Sequence, residues 1–130
     1  MENKITLSVV VLTKNEESNI SECLNSVKWA DDIVIVDDES SDKTVEICRK
    51  FTDRIFLKKM DIEGRHRNWA YSQAKNSWVL SLDADEIVTR ELEEEIIERR
   101  RVEHDVLNAN REIELYKRLV EFVGDAVFKH

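Results

Sequence analysis

The chain of 130 residues contains no proline and only two glycines, Gly64 and Gly124. Few positions therefore interrupt regular backbone structure, and long helices are expected. The sequence also lacks an apolar run long enough to cross a bilayer, and Met1 is followed by charged residues rather than by a signal peptide. We therefore expect a cytoplasmic protein without a membrane span, which would meet the inner membrane only at its periphery.

Cysteine is equally scarce. Cys23 and Cys48 both fall within amphipathic, helix-like stretches, and their spacing is not that of metal ligands. Reduced, buried thiols are the expected state of such residues in a cytoplasmic protein.

Positive charge is in deficit, with 20 basic against 28 acidic residues and a formal net charge of -8. A bare nucleic-acid backbone is therefore not expected as a partner, although a local basic cluster could still hold a phosphate. The hydrophobic content of 42% is typical of a globular domain, and 130 residues suffice for one core.

Apolar runs alternate with amphipathic stretches along the first hundred residues. Strands are predicted at residues 5–12, 33–36, 55–57 and 78–82, each followed by a helical pattern. Asn15 is the predicted N-cap of the first helix, Ser41 or Asp42 of the second, and Thr89 of the fourth. Helical crossovers imply parallel strands, so we predict an α/β three-layer sandwich with an open sheet in the order 3-2-1-4.

Three of these strands end in polar residues. Asp83 and Asp85 follow the fourth strand, and two carboxylates one residue apart can hold a hard divalent cation. An acidic turn without a ligand is the alternative. Because ligands bind at the carboxyl edge of such sheets, convergence of the polar strand ends favours a site. The remaining members of this group are Thr13, Asn15, Glu16, Asp37 and Asp38.

Five segments in order resemble the donor half of a family-2 glycosyltransferase, as found in bacterial lipopolysaccharide-core β-1,4-glucosyltransferases. They are residues 9–17, 27–37, 40–44, 67–70 and 82–86. The resemblance implies the GT-A, Rossmann-like fold, an inverting and metal-dependent sugar transfer, and a nucleotide sugar, a UDP-sugar by preference. A saccharide or lipid-linked saccharide would be the acceptor.

The resemblance also implies a role for each matching residue. Thr13, Asn15 and Glu16 would border the base and ribose of the nucleotide. Asp37 would accept a hydrogen bond from uracil, with Asp38 beside it.

In the same way, Arg67 would approach the base or the diphosphate. Asp83 would lie near the ribose and the metal, and Asp85 would ligate Mn²⁺ or Mg²⁺. Simpler structural roles compete with some of these: a first-turn helix residue for Glu16, a residue that only caps or solvates a loop for Asp38, and a solvated helix face for Arg67. His66 is predicted to lie at the surface.

The resemblance ends near residue 100, and only 45 residues follow Asp85. The acceptor half and its catalytic base are not recognisable there, so no base is assigned. We expect a nucleotide-sugar-binding domain at 1–101 and a helical tail at 102–130. The apolar stripe of that tail would pack on the same domain or pair two copies into a homodimer.

Two further hypotheses stay open at this stage. A non-catalytic binding or assembly module could share this fold, and weak or absent transferase activity is expected if the acceptor half is missing. A phosphatase or phosphorylation receiver could also use acidic pairs, but those families place them on the first strand. Here Asp83 and Asp85 follow the fourth strand.

Overall fold

A computed structural model of the protein describes residues 6–104, with side chains for 6–99. Four strands alternate with four helices, as the sequence predicts. The elements are β1 (Leu7–Thr13), α1 (Ile20–Asn25), β2 (Asp32–Asp37), α2 (Thr44–Cys48), β3 (Ile55–Leu57), α3 (Glu63–Ser72), β4 (Trp78–Asp83) and α4 (Arg90–His104).

The four strands form one sheet in the order β3-β2-β1-β4, and every neighbouring pair is parallel. The predicted order is therefore confirmed. Val11 lies opposite Ile35 of β2 on one side and Leu82 of β4 on the other. Because all strands run the same way, their carboxyl ends share one edge, which we call the carboxyl edge.

Strand alternation divides the core between the two faces of the sheet. Val9 and Val11 pack in a cluster with apolar residues of α1, α2 and α4. Val10 packs in a second cluster, with Ala70 of α3. All three valines are fully buried. The result is the predicted three-layer arrangement, with three helices on one face and α3 on the other.

The first two helices are short, at six and five residues, so the expectation of long helices is wrong for them. The predicted cap at Asn15 is wrong as well, since α1 begins at Ile20. Backbone and side chain of Asn15 instead bond to the neighbouring loop. Tertiary hydrogen bonds thus compete with helix extension here, which local propensity cannot reveal.

The capping prediction for α4 agrees with the structure, where the Leu92 N–H donates to the Thr89 hydroxyl. For α2 the N-cap position is Lys43 rather than the predicted Ser41 or Asp42. The Asp42 carboxylate nevertheless accepts the N–H of Thr44. Each bond satisfies a backbone donor that the first helical turn leaves unpaired.

At the opposite end of the sheet, a buried carboxylate joins three segments. Asp32 accepts from the Ser8 hydroxyl at 2.8 Å, the Arg54 Nε at 2.8 Å and the Lys75 N–H at 3.0 Å. Burial would raise the pKa of Asp32, but these hydrogen bonds and the Arg54 charge outweigh it and lower the pKa. We call this group the Asp32 network.

Both cysteines are free and buried, which confirms that part of the prediction. Burial raises the pKa of each thiol to about 12, and the nearby Glu86 adds to the effect at Cys23. Among the helices described, none has the length and apolar character that crossing a membrane requires. α4 runs three residues past the predicted boundary at 101, and the rest of the predicted tail lies outside the described residues.

Candidate functional site

Three adjacent strands end in predicted site residues at the carboxyl edge. Thr13 of β1 lies opposite Asp37 of β2, and Asp83 of β4 lies opposite Leu12. Neighbouring strands are about 4.8 Å apart, so the three strand ends lie side by side at this edge. The Thr13 hydroxyl is buried without a hydrogen-bond partner among the described residues. A buried hydroxyl of this kind suits a ligand atom.

The loops after β1 and β2 are joined by a set of hydrogen bonds that we call the loop latch. The Asn15 N–H donates to the Ser40 hydroxyl at 2.8 Å, and the Asn15 side-chain oxygen accepts the Ser41 N–H at 2.7 Å. The Glu16 N–H donates to the Thr44 hydroxyl at 2.9 Å. Asn15 and Glu16 thus lie at the carboxyl edge, and their backbone N–H groups are hydrogen-bonded within the latch.

The competing reading of Glu16 as a first-turn helix residue is not supported. Its carbonyl accepts N–H groups of Asn19 and Ile20, so it belongs to the turn that precedes α1. Two residues of the latched loops, Asn15 and Glu39, have positive φ angles of 51° and 50°. Asn adopts this region readily, whereas Glu39 is held there at some cost by its surroundings.

Asp37 is buried and anchored by the same latch. Ser40 donates to it twice, from the N–H at 2.9 Å and from the hydroxyl at 2.6 Å. Ser40 therefore both fixes the Asp37 carboxylate and accepts from the β1 loop. Sequence reasoning missed this residue, although a serine three positions after a strand-terminal aspartate is a familiar turn signal.

The variant Ser40→Ala is expected to lower the free energy of unfolding by about 1–2 kcal/mol, because it removes bonds to Asp37 and Asn15. Ser41→Ala is the matched control, since it keeps the Ser41 N–H bond to Asn15 at 2.7 Å and removes only a long hydroxyl contact of 3.4 Å to the same oxygen. That control should stay within about 0.5 kcal/mol of wild type. Urea unfolding measures both, and equal stabilities of the two variants would contradict the latch.

Asp38 is also buried, but it faces a different loop. Its Oδ1 accepts the Met60 N–H at 2.9 Å, and its Oδ2 lies 3.9 Å from the Lys14 Nζ. These contacts match the alternative in which Asp38 caps a loop, here the segment between β3 and α3. A role toward a nucleotide stays a prediction.

Arg67 reaches the site from the first half of α3. Its Nη2 lies 3.1 Å from Asp83 Oδ1 and 3.2 Å from Glu63 Oε1. Burial disfavours the charge, but hydrogen bonds to Asp83, Tyr71 and Glu63 outweigh it and raise the pKa of Arg67. The side chain is 31% exposed. The Arg67 guanidinium is therefore fixed at the carboxyl edge by ion pairs and is not part of a solvated helix face.

The prediction that His66 lies at the surface is wrong. Its exposure is 3%, and its Nδ1 has no hydrogen-bond partner in the part of the chain that the structure describes. His66 and Ala70 are the buried residues of α3 and stand four positions apart. The four-residue spacing is typical of one buried helix face and could have predicted the burial of His66. The charged neighbours Arg65 and Arg67 instead favoured a surface position.

The two aspartates after β4 owe their exposure to an alternating pattern. Ala84, Glu86 and Val88 are buried, while Asp83 is partly exposed and Asp85 is exposed. Both carboxylates are therefore accessible to solvent. Among residues 6–104, no group of three or more His, Cys, Asp or Glu residues is arranged to hold a metal. Two aspartates suit an Mg²⁺-type site whose other ligands are water and phosphate.

Comparison with known proteins agrees with this architecture. The model of the family "Glycosyl transferase family 2" matches residues 8–120. An uncharacterized glycosyltransferase of Rickettsia typhi is 38% identical over 91 residues, which cover 69% of this chain and 31% of that protein. The poly(ribitol-phosphate) β-N-acetylglucosaminyltransferase TarS of Staphylococcus aureus is 36% identical over 96 residues, 65% of this chain and 17% of TarS.

Crystal structures of a TarS fragment share the fold. The complex of that fragment with UDP has a TM-score of 0.58 and 31% identity, and the match covers 71% of this chain and 31% of the fragment. Its complex with UDP-GlcNAc has a TM-score of 0.56 and 34% identity, covering 71% and 30%. The chain thus spans about a third of the length of the first relative and of the TarS fragment. The family match, which takes in most of the sequence, and the common parallel sheet show that the chain belongs to glycosyl transferase family 2.

Proposed function

We propose that this chain binds a nucleotide sugar at the carboxyl edge, with UDP as the nucleotide and a divalent cation beside the diphosphate. In this proposal it is the donor-binding part of an inverting glycosyltransferase. The observation that carries it is the grouping of Thr13, Asp37 and the Arg67–Asp83 pair next to exposed Asp85. The TarS complexes with UDP and UDP-GlcNAc support it through the shared fold and family.

The geometry of Asp37 suits recognition of a base. Ser40 donates to both carboxylate oxygens, and each oxygen keeps a further lone pair. Uracil presents a ring N–H, which such a fixed acceptor can bind. Asn15 and Glu16 would then border the base and ribose as part of the latched rim, and the Thr13 hydroxyl would offer a nearby polar contact.

Charge balance suits the diphosphate. Asp83 and Asp85 would repel phosphate oxygens, whereas Arg67 would attract them. Mn²⁺ or Mg²⁺, held by Asp85 with Asp83, would supply positive charge that stabilises the leaving diphosphate. Arg67 would orient the diphosphate or the base from α3, and its ion pair with Asp83 keeps the guanidinium at the edge before a ligand arrives.

Sugar transfer also needs a base and an acceptor held in line with the anomeric carbon. We assign neither among the described residues. The acceptor is proposed only as a class, a saccharide or lipid-linked saccharide, and the assignment of residues 1–101 as the nucleotide-sugar-binding domain stays part of the proposal.

Calorimetry with UDP, GDP and ADP, each in Mn²⁺ and in EDTA, tests the proposal. We expect UDP in Mn²⁺ to bind at least tenfold more tightly than ADP, because adenine lacks the ring N–H that Asp37 would accept. The variant Asp37→Asn should reduce that preference. Equal affinity for the three nucleotides would contradict recognition of uracil.

A non-catalytic binding or assembly module of the same fold is the second candidate. The same titrations discriminate the two. Absence of binding to any nucleotide or UDP-sugar would favour the module, while binding of UDP-GlcNAc that competes with UDP would favour the donor-binding function.

A further inference from the structure

Glu86 stands where an apolar side chain is expected. Every second residue from Leu82 to Val88 is buried, and the other three are Leu82, Ala84 and Val88. The exposure of Glu86 is 6%, close to the 4% of Val88. A carboxylate is costly to bury unless it forms hydrogen bonds, so its presence in this row requires a compensating contact.

That contact is with the first aspartate of the site. Glu86 Oε1 accepts the Asp83 N–H at 2.7 Å, and the Glu86 N–H donates to the Asp83 carbonyl at 2.9 Å. The N–H and the carbonyl of Asp83 are thus both hydrogen-bonded to Glu86, three residues later in the chain. The first bond lies at the short end of the range for an N–H donor and an oxygen acceptor. The turn from Asp83 to Glu86 is consequently closed on itself.

The segment that contains this turn is fixed to α1 and to Ser26, the residue that follows α1. The Cys23 Sγ lies 3.7 Å from the Asp83 carbonyl oxygen. Farther along, the Val88 N–H donates to the Ser26 hydroxyl at 3.0 Å. Between these anchors, Asp83 and Asp85 carry the carboxylates that face solvent, and the Glu86 bond is the contact internal to the turn that sets their backbone.

We infer that Glu86 is a positioning residue, which holds the backbone of Asp83 and Asp85 so that both carboxylates meet a divalent cation in a fixed geometry. This rests on the proposed function. Glu86 acts through its bond to the Asp83 N–H rather than through contact with the ligand. Sites of this kind depend on a rigid supporting shell, since small displacements of ligating groups weaken binding.

Two substitutions separate hydrogen bonding from charge. Glu86→Gln keeps an oxygen that can accept the Asp83 N–H, whereas Glu86→Ala removes it. Exposed Glu94, which pairs with Arg90 four residues away on α4, provides the control Glu94→Ala. Circular dichroism at low temperature confirms that each variant is folded, and calorimetry measures the affinity for UDP in Mn²⁺ and in EDTA.

We expect Glu86→Ala to lose at least tenfold of the affinity for UDP in Mn²⁺ while its affinity in EDTA changes less than twofold. Glu86→Gln and Glu94→Ala should stay within threefold of wild type in both media. A purely structural role would instead lower the stability of Glu86→Ala and leave the Mn²⁺ dependence of its folded fraction intact.

The outcomes distinguish the two proposals. If wild type binds UDP in Mn²⁺ and Glu86→Ala keeps that dependence, the positioning role is overturned and the proposed function stands. Equal losses in Glu86→Gln and Glu86→Ala would also overturn it, because the hydrogen bond would not be the operative feature. If wild type binds no UDP in Mn²⁺, the proposed function fails and the positioning role fails with it.

Discussion

Replacing Asp85 with asparagine is expected to lower the affinity for UDP in Mn²⁺ at least tenfold, which corresponds to about 1.4 kcal/mol. Asp85 is exposed, and no hydrogen bond in the structure commits its carboxylate to a fold-stabilising contact within the described residues. Two phosphates near Asp37, Asp38, Asp83 and Asp85 would be repelled without a cation, and the cation reverses that local charge. Removing one ligand should therefore weaken the part of the affinity that depends on metal.

Calorimetry in Mn²⁺ and in EDTA measures this difference. Asp53→Asn is the matched control, because Asp53 is exposed and precedes β3, on the side of the sheet away from the carboxyl edge. It makes the same change in net charge and should leave both affinities unchanged. Equal affinity of wild type in EDTA and in Mn²⁺ would show that no cation takes part, and the metal would have to be withdrawn from the proposal.

Loss of the Asp32 carboxylate should produce the largest fall in stability. Asp32→Ala is expected to lower the free energy of unfolding by about 2–4 kcal/mol at neutral pH. The variant leaves the Ser8 hydroxyl and the Lys75 N–H without their acceptor, and it leaves the half-buried Arg54 without its ion pair. These groups join β1, β2, the start of β3 and the segment before β4, so their loss loosens the whole sheet.

The same carboxylate predicts a pH dependence. The pKa of Asp32 is lowered in the folded state, against about 3.9 in the unfolded chain. The unfolded state therefore binds the proton first as the pH falls, and the stabilisation is complete above about pH 4. It is lost as the pH falls through the lower folded-state pKa. The difference in stability between wild type and Asp32→Ala should shrink correspondingly in acid.

Urea unfolding between pH 3 and pH 7 tests both statements about Asp32, with Asp53→Ala as the control for loss of an exposed carboxylate. The network lies at the opposite edge from the candidate site, so folded Asp32→Ala should keep its affinity for UDP. A stability loss that is constant over this pH range would contradict the assignment of the lowered pKa to Asp32.

Much of the fold followed from local patterns in the sequence. The apolar runs at β1 and β4 predicted buried strands, and the helical stretches between strands implied parallel pairing. Together these gave the order 3-2-1-4, which the structure confirms. Because parallel strands bring their carboxyl ends to one edge, the sequence also predicted that Thr13, Asp37 and Asp83 would meet.

The sequence by itself thus determined the strands, their order and the edge at which the polar residues lie. It could do so because apolar periodicity and the helical connections between strands can be read from neighbouring residues along the chain. Only the tertiary structure decided what Asn15, His66 and Glu86 do. Asn15 lies outside α1 and bonds to the loop after β2. His66 is buried on α3, and Glu86 is buried and bonded to the Asp83 N–H. Each outcome depends on hydrogen-bond partners or packing surfaces that exist only once the segments have assembled, and local propensity does not encode them.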